Sequence, residues 1–208
     1  DDDVDDSVTF TVSGSELSIT SAGVLTFATA PDYETKKSYT ATVTASDGTN
    51  TTNQSITVNV TDVNDNSPAF TSNATFSAAE NQTSIGTVIA TDDDVDDSVT
   101  FTVSGSELSI TSAGVLTFAT APDYETKKSY TATVTASDGT NTTNQSITVN
   151  VTDVNDNSPA FTSNATFSAA ENQTSIGTVI ATDDDVDDSV TFTVSGSELS
   201  ITSAGVLT

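Results

Sequence analysis

Residues 1–117 and residues 92–208 are the same string, offset by 91 positions without a mismatch. A fixed period of this length marks a tandem array, in which one supersecondary unit is repeated and joined to its neighbours. The complete copy runs from Ser67 to Asn157, with parts of further copies at 1–66 and 158–208. A 91-residue unit is large enough to bury a core of its own. Each copy closes on an acidic string, Asp153-Val154-Asn155-Asp156-Asn157-Ser158-Pro159-Ala160-Phe161, which also occurs at Asp62–Phe70.

Within the repeat the hydrophobic period is two. Tyr130, Ala132, Val134 and Ala136 alternate with Thr131, Thr133 and Thr135; Ile147, Val149 and Val151 alternate with Thr148, Asn150 and Thr152; Val99, Phe101 and Val103 alternate with Thr100 and Thr102. Each run places apolar side chains on one face and Thr, Ser or Asn on the other, the pattern of a half-buried strand. Ala74–Ala79, Gly86–Ala90, Glu107–Thr111 and Val115–Thr120 fit the same template. Ser104-Gly105, Ala113-Gly114, Ala121-Pro122 and Asp138-Gly139 supply turns between them. No stretch has helical periodicity, and Thr-rich sequence disfavours helix. About seven short strands per repeat predict an all-β chain of tandem immunoglobulin-like sandwiches.

Composition excludes several functions. The chain has no Cys and no His, so disulfides, zinc sites of the thiolate or imidazole kind and Ser-His-Asp or Cys-His nucleophiles are ruled out. No apolar run approaches the ~18 residues needed to span a membrane as a helix. Thirty acidic residues stand against four basic ones, a formal charge of −26, which leaves no cationic footprint for nucleic acid.

The acids sit at particular places. Twelve carboxylates fall in the complete repeat, five of them in Asp92, Asp93, Asp94, Asp96 and Asp97, directly after the strand ending at Ala90. Glu80, Asp123, Glu125, Asp138, Asp153 and Asp156 also lie at strand ends or in turns, while Glu107 falls inside an expected strand. A halophile's acidic coat would decorate the exposed strand faces, but those positions are Thr, Ser and Asn. Ca²⁺, by contrast, takes 6–8 oxygens from carboxylates and carbonyls in flexible geometry, and crowded Asp residues without a cation repel one another. The Asp92–Asp97 loop alone fits a cation site and a solvated acidic loop equally well.

The order of these motifs resembles the cadherin repeat. Glu80-Asn81, Ala90-Thr91-Asp92-Asp93-Asp94, Asp123-Tyr124-Glu125, Ala136-Ser137-Asp138 and Asp153-Val154-Asn155-Asp156-Asn157-Ser158-Pro159 follow the family's sequence of elements within one period. The resemblance covers the whole repeat and implies cadherin-type seven-stranded Greek-key sandwiches with about three Ca²⁺ ions at each junction. For the first junction it implies ligands from Asp32, Glu34, Asn64, Asp65, Asp92, Asp94 and Asp138, with backbone carbonyls of Val63 and Asn66. For the second it implies Glu80, Asp123, Glu125, Asn155, Asp156, Asp183 and Asp185, with carbonyls of Val154 and Asn157. Asp1, Asp3 and Asp47 match the positions that would serve a junction with a preceding repeat. The first junction lacks a Glu-Asn glutamate and the second its lower Ala-x-Asp aspartate, so each is one carboxylate short. The family's Gly-x-Asn after Asp-x-Asp is replaced by Val95-Asp96-Asp97-Ser98. That leaves open which carbonyl completes the third ion's shell, with Asp96 or Asp97 as a carboxylate in its stead.

What the resemblance implies functionally is a Ca²⁺-rigidified spacer in a cell-surface, extracellular adhesin. Cysteine-free, identically duplicated modules are most similar to the extender regions of giant bacterial, RTX-type adhesins, which hold a distal binding domain away from the cell. The partners are then neighbouring repeats of the same chain. Homophilic adhesion through the repeats is the alternative, as weak homotypic contacts of the Thr-rich faces, since the strand-exchange tryptophan of classical cadherins is absent. Enzymatic action on carbohydrate would rest only on paired carboxylates such as Asp92 and Asp94, with no aromatic platform beside them. Lys127-Lys128 reads as a solvated turn, and Tyr124 as packing against the linker.

Overall fold

The computed structural model describes residues 7–95, 97–186 and 188–208. Among them there is no helix, hence none long and apolar enough to cross a membrane. The strands are β1 (Thr9–Val12), β2 (Leu17–Ile19), β3 (Leu25–Phe27), β4 (Ser38–Ser46), β5 (Thr51–Asn59), β6 (Ala69–Phe70), β7 (Thr75–Ala79), β8 (Ser84–Thr87), β9 (Ala90–Thr91), β10 (Thr100–Val103), β11 (Leu108–Ile110), β12 (Val115–Phe118), β13 (Ser129–Ser137), β14 (Thr142–Thr152), β15 (Ala160–Phe161), β16 (Gly177–Thr178), β17 (Ala181–Thr182) and β18 (Val206–Leu207). They fall into two compact units. One comprises residues 1–69, 91–99 and 137–143; the other comprises 70–90, 100–136 and 144–208.

The complete repeat is a two-sheet sandwich. One sheet has the order β10-β13-β14-β7 and the other β11-β12-β8. Alternation drives it: along β13 and β14, Val134, Ala136, Ile147, Val149 and Val151 are buried, and residues between them face outward. Leu116 and Phe118 of β12, with Leu108 and Val88, supply the facing layer. Burying about ten such side chains at ~1.5–3 kcal/mol each is the main term holding the module together. Outward-facing positions pair across the ladder instead, as where Thr135 Oγ1 donates to Asn144 Oδ1 at 2.7 Å. The same residue types in β4 and β5, including Val43, Ala45, Ile56 and Val58, are only half-buried, in a sheet of order β1-β4-β5.

The strand expected over Gly86–Ala90 is two pieces. β8 pairs with β12, whereas β9 pairs with β6, and the chain changes sheets at Val88 and Ile89. There Val88 N–H donates to Gly114 O at 2.9 Å, while Ile89 O accepts from Thr71 N–H at 2.9 Å. This crossing needs glycine at 114. Its φ is +85°, and a Cβ would lie 2.2 Å from Val88 O and 3.3 Å from the Phe101 ring. Gly114→Ala is therefore expected to destabilise the complete repeat by about 3 kcal/mol in chemical denaturation, from backbone strain and a backbone clash together.

A parallel pairing positions the junction. β14 runs parallel to β7 with Thr148 opposite Thr75 through Thr152 opposite Ala79. Parallel strands finish at the same end, so Glu80 and Asp153 emerge side by side. Glu80 N–H donates to Thr152 O at 3.1 Å, extending the ladder to its last residue.

The four lysines, the chain's only basic residues, are committed elsewhere. Lys36 and Lys127 pair with Glu16 and Glu107 and lie 4.4 and 4.3 Å from the centres of the Tyr39 and Tyr130 rings. Lys37 and Lys128 lie 4.5 and 4.3 Å from the centres of the Tyr33 and Tyr124 rings. The Lys127-Lys128 turn is thus engaged with aromatic rings rather than simply solvated.

Candidate functional site

Glu80 is the anchor of the second cluster. It is only 3% exposed, and each carboxylate oxygen accepts one backbone N–H: Oε1 from Val154 at 2.8 Å and Oε2 from Tyr124 at 2.7 Å. The next residue turns the chain away. Asn81 has φ +61°, a left-handed conformation that Asn tolerates better than most residues. Its backbone N–H meets Pro122 O at 3.0 Å, and its side-chain amide donates to Asp156 Oδ2. Glu-Asn is thereby tied both to the Asp123 turn and to the linker.

Around this anchor, ligand oxygens of Glu80, Asp123 and Glu125 lie within 4.8 Å of one another, and so do those of Glu125, Asp156 and Asp185. Glu125 belongs to both groups. Asp123 is held by its own turn, Oδ1 accepting from Thr126 N–H and Oδ2 from Thr126 Oγ1, both at 3.0 Å. Asn155 and Val154 are exposed linker positions.

The lower half of each cluster is joined to the linker by a two-pronged amide clamp. Asn157 donates its backbone N–H to Asp185 Oδ2 and its side-chain amide to Asp185 Oδ1, both at 2.9 Å. Asn66 does the same to Asp94, again at 2.9 Å for each bond. Both aspartates are 5% exposed. Asp94 N–H donates to Asp92 Oδ1 at 3.1 Å and Asp185 N–H to Asp183 Oδ1 at 3.2 Å, so the first aspartate of each Asp-x-Asp orients the second.

In the first cluster Glu34, Asp65 and Asp94 have ligand oxygens within 4.8 Å of one another. Asn64 Oδ1 and Asn66 O both accept from the Asn141 side chain. The Asp97 carboxylate faces the Asn64 side chain and the charges of Asp94, Asp138 and Asp92. Asp32 is held in its turn by Thr35 and stands outside the three-carboxylate group, and the Val63 side chain is 65% exposed. Asp47 folds back on its own loop, Oδ1 taking the N–H groups of Thr49 at 2.7 Å and Asn50 at 2.6 Å. Asp1, Asp3 and Asp96 lie outside the described residues.

Two residues carry more than their motif suggested. Asp62 and Asp153, the first residues of the acidic strings, accept through Oδ2 from Val95 N–H at 2.8 Å and Val186 N–H at 2.7 Å. They bridge each linker to the loop of the next repeat. Their carboxylates also face those of Glu34 and Glu125. No spacing rule singles them out; only the convergence of linker and loop does.

The decisive feature is what these oxygens lack. Seven buried side-chain polar atoms among the described residues have no hydrogen-bond partner. Six are carboxylate oxygens of the two clusters: Glu34 Oε1, Asp62 Oδ1, Asp92 Oδ2 and Asp138 Oδ2 in the first, Glu125 Oε1 and Asp153 Oδ1 in the second. Gln145 Oε1 is the seventh. A buried anionic oxygen without a donor is costly, and among the described residues no lysine pairs with these carboxylates. The donor set, hard oxygens in excess with no nitrogen or sulfur, fits Ca²⁺.

The titration shifts follow the same geometry. Burial, with the charges of Glu80 and Asp153, holds Glu125 above its ordinary value. Burial, with the charge of Asp94, does the same to Asp97. Glu34 is lowered by its own backbone N–H, but burial with Asp62 and Asp94 outweighs this and leaves it raised. Hydrogen bonds depress Asp32 (Thr35), Asp47 (Asn50 and Thr49) and Asp185 (Asn157). At Asp138 burial pushes upward, but the backbone N–H groups of Asn141 and Thr140, both given to Oδ1, leave it lowered. A raised carboxyl binds protons in the folded chain that the unfolded chain releases, so stability falls as pH rises through that window. The depressed groups contribute stability above their ordinary value and lose it only as pH falls through their lowered values. In EDTA, therefore, acidification from neutrality toward the ordinary carboxylate range is expected to raise the melting temperature. In Ca²⁺ the same change is expected to weaken ion binding, with protons released on binding, measurable as a buffer-dependent heat.

No family model and no curated protein matches the chain. Solved structures do. A mouse cadherin-23 fragment, EC22-24, aligns over all of the chain and 77% of its own length at 25% identity with TM-score 0.74. A protocadherin gammaB7 fragment, EC3-6, in a cis-dimer structure, aligns over 96% of the chain and 58% of its own length at 28% identity with TM-score 0.79. The human desmocollin-1 ectodomain aligns over 96% and 46% at 23% identity with TM-score 0.68. The chain thus spans about three quarters of the first of these and about half of the other two. Its all-β sandwiches have the fold of cadherin extracellular domains.

Proposed function

We propose that this chain is a run of calcium-stiffened spacer repeats from an extracellular surface adhesin, holding a distal binding domain away from the cell. The repeats are 1–66 in part, 67–157 complete and 158–208 in part. The observation that carries the reading is the set of six buried, donor-less carboxylate oxygens at the two linkers. Ca²⁺ would supply the positive charge these oxygens lack. Glu80, Asp123, Glu125, Asp156 and Asp185, with Asn155, Asp183 and the carbonyls of Val154 and Asn157, would hold it at one junction. Glu34, Asp65, Asp92, Asp94 and Asp138, with Asp32, Asn64 and the carbonyls of Val63 and Asn66, would hold it at the other. Asp97 adds a carboxylate where the cadherin pattern has a carbonyl.

The charge arithmetic supports this. The complete repeat carries twelve acids and two lysines, a net of −10. Three Ca²⁺ ions per repeat would bring it to about −4. Without ions, mutual repulsion of these carboxylates works against the linker's hydrogen bonds and favours bending; with ions, ligands from successive copies share one centre and bending is resisted. Identical, cysteine-free copies suit a length-setting extender of the giant bacterial adhesin kind, since a specific binding face does not need repeating unchanged. Small-angle scattering tests it: about 10 mM Ca²⁺ added after EDTA should lengthen the particle, and an unchanged maximum dimension would refute the spacer role. Lateral pairing is the second reading, favoured by the cis-dimer form of the protocadherin gammaB7 fragment. Sedimentation at high concentration in Ca²⁺ would reveal it.

A further inference from the structure

The loop Asp-Gly-Thr-Asn occurs twice with identical sequence, at Asp47–Asn50 and Asp138–Asn141. In both copies the aspartate Oδ1 accepts the backbone N–H groups of the Thr and the Asn. The asparagine side chains differ. Asn50 Nδ2 donates locally, to Asp47 Oδ2 at 3.2 Å. Asn141 Nδ2 instead donates to Asn64 Oδ1 and to Asn66 O, both at 2.7 Å, in the linker 77 and 75 residues earlier. Asp138 Oδ2, the counterpart of the oxygen that Asn50 satisfies, is left buried and without a donor.

The exchange is informative because of what Asn141 has turned toward. An amide nitrogen has two protons to give, and here both go to oxygens that the junction would otherwise offer to a cation. The group lies beside the orphaned Asp138 carboxylate and among the carboxylates of Asp92, Asp94 and Asp97, which face the same Asn64 side chain or one another. A weakly positive N–H₂ thus stands where the surrounding oxygens call for charge.

We infer that the Asn141 side-chain amide is a cation substitute. Without a bound ion it latches the Asn64–Asn66 linker to the following repeat. A divalent cation takes this position only when the amide swings away, toward the local arrangement that Asn50 adopts. The inference about the cation rests on the function proposed above; the latch itself does not. Two consequences follow: in the absence of Ca²⁺ the linker keeps a further tie to the following repeat beside the Asn66–Asp94 and Asp62–Val95 bonds, and the ion at this position binds more weakly than an open site would allow.

The test uses the whole 208-residue chain, as wild type, Asn141→Ala and Asn141→Asp. In EDTA, hydrogen exchange by NMR should show the Asn141 side-chain protons exchanging about tenfold more slowly than those of Asn50, and Asn141→Ala should speed the Asn66 backbone amide by about tenfold. In Ca²⁺ titrations, both variants should complete the weakest binding step at about tenfold lower Ca²⁺ than wild type. Equal exchange at Asn141 and Asn50 would overturn the latch. A weaker weakest step in Asn141→Ala would make Asn141 a ligand rather than a substitute, and an unchanged one would also overturn the substitution. A wild-type chain that takes up no Ca²⁺ overturns the cation half together with the proposed function, while the exchange measurement still decides the latch.

Discussion

Moving the chain from EDTA into about 10 mM free Ca²⁺ is expected to raise its melting temperature by at least roughly 20 °C. The size comes from linkage. Extracellular modules bind Ca²⁺ at roughly 10⁻⁴–10⁻³ M, so each ion that binds only the folded form contributes ~1.4–2.7 kcal/mol at that concentration, or ~4–8 kcal/mol for three. For a domain of about 90 residues, 1 kcal/mol moves the midpoint by ~4–8 °C. Mg²⁺ at the same concentration should do far less, because it demands octahedral geometry and gives up its waters reluctantly. Calorimetry in EDTA, Mg²⁺ and Ca²⁺ checks both statements.

Replacing Glu80 by Ala is the second large effect, and its size does not depend on an ion alone. Both carboxylate oxygens of this buried side chain accept backbone N–H groups, from Val154 in the linker and Tyr124 in the Asp123–Glu125 turn. Truncation orphans two donors, at ~1–3 kcal/mol each, and opens a small void. A loss of about 3–5 kcal/mol is expected for the complete repeat in chemical denaturation. Glu80→Gln separates the two roles. It keeps the volume and one acceptor and removes a negative charge beside Glu125. Relative to wild type it should therefore be much less harmful in EDTA than in Ca²⁺.

The strands were legible wherever a run alternates without interruption. β13 and β14 bury Val134, Ala136, Ile147, Val149 and Val151 in the phase that the sequence shows. The break at Val88–Ile89 was not legible, because an apolar run looks alike whether it stays in one sheet or crosses to the other; only the partners, Gly114 and Thr71, distinguish them. Linker geometry was hidden for a related reason. Asp62 and Asp153 meet the loops at Val95 and Val186, 33 residues on, through bonds that no local pattern encodes. Asn141 is the extreme case: its sequence neighbours match those of Asn50, and tertiary context alone sends its side chain elsewhere. The motif residues Glu80, Asp123 and Glu125 do gather at one place, as do Glu34, Asp65 and Asp94. Asp32 stands apart from the latter group.

The claim at the centre is that linker and loop carboxylates from successive copies bind Ca²⁺ together. Calcium uptake by isothermal titration, comparing wild type with the double variant Asp65→Asn/Asp156→Asn, addresses it directly. Both positions are exposed linker residues, so the sandwiches should fold unchanged. Saturable uptake of several ions per chain at roughly 10⁻⁴–10⁻³ M, largely lost in the double variant, is the expected result. No saturable uptake by wild type, or uptake equal in the two chains, would contradict it.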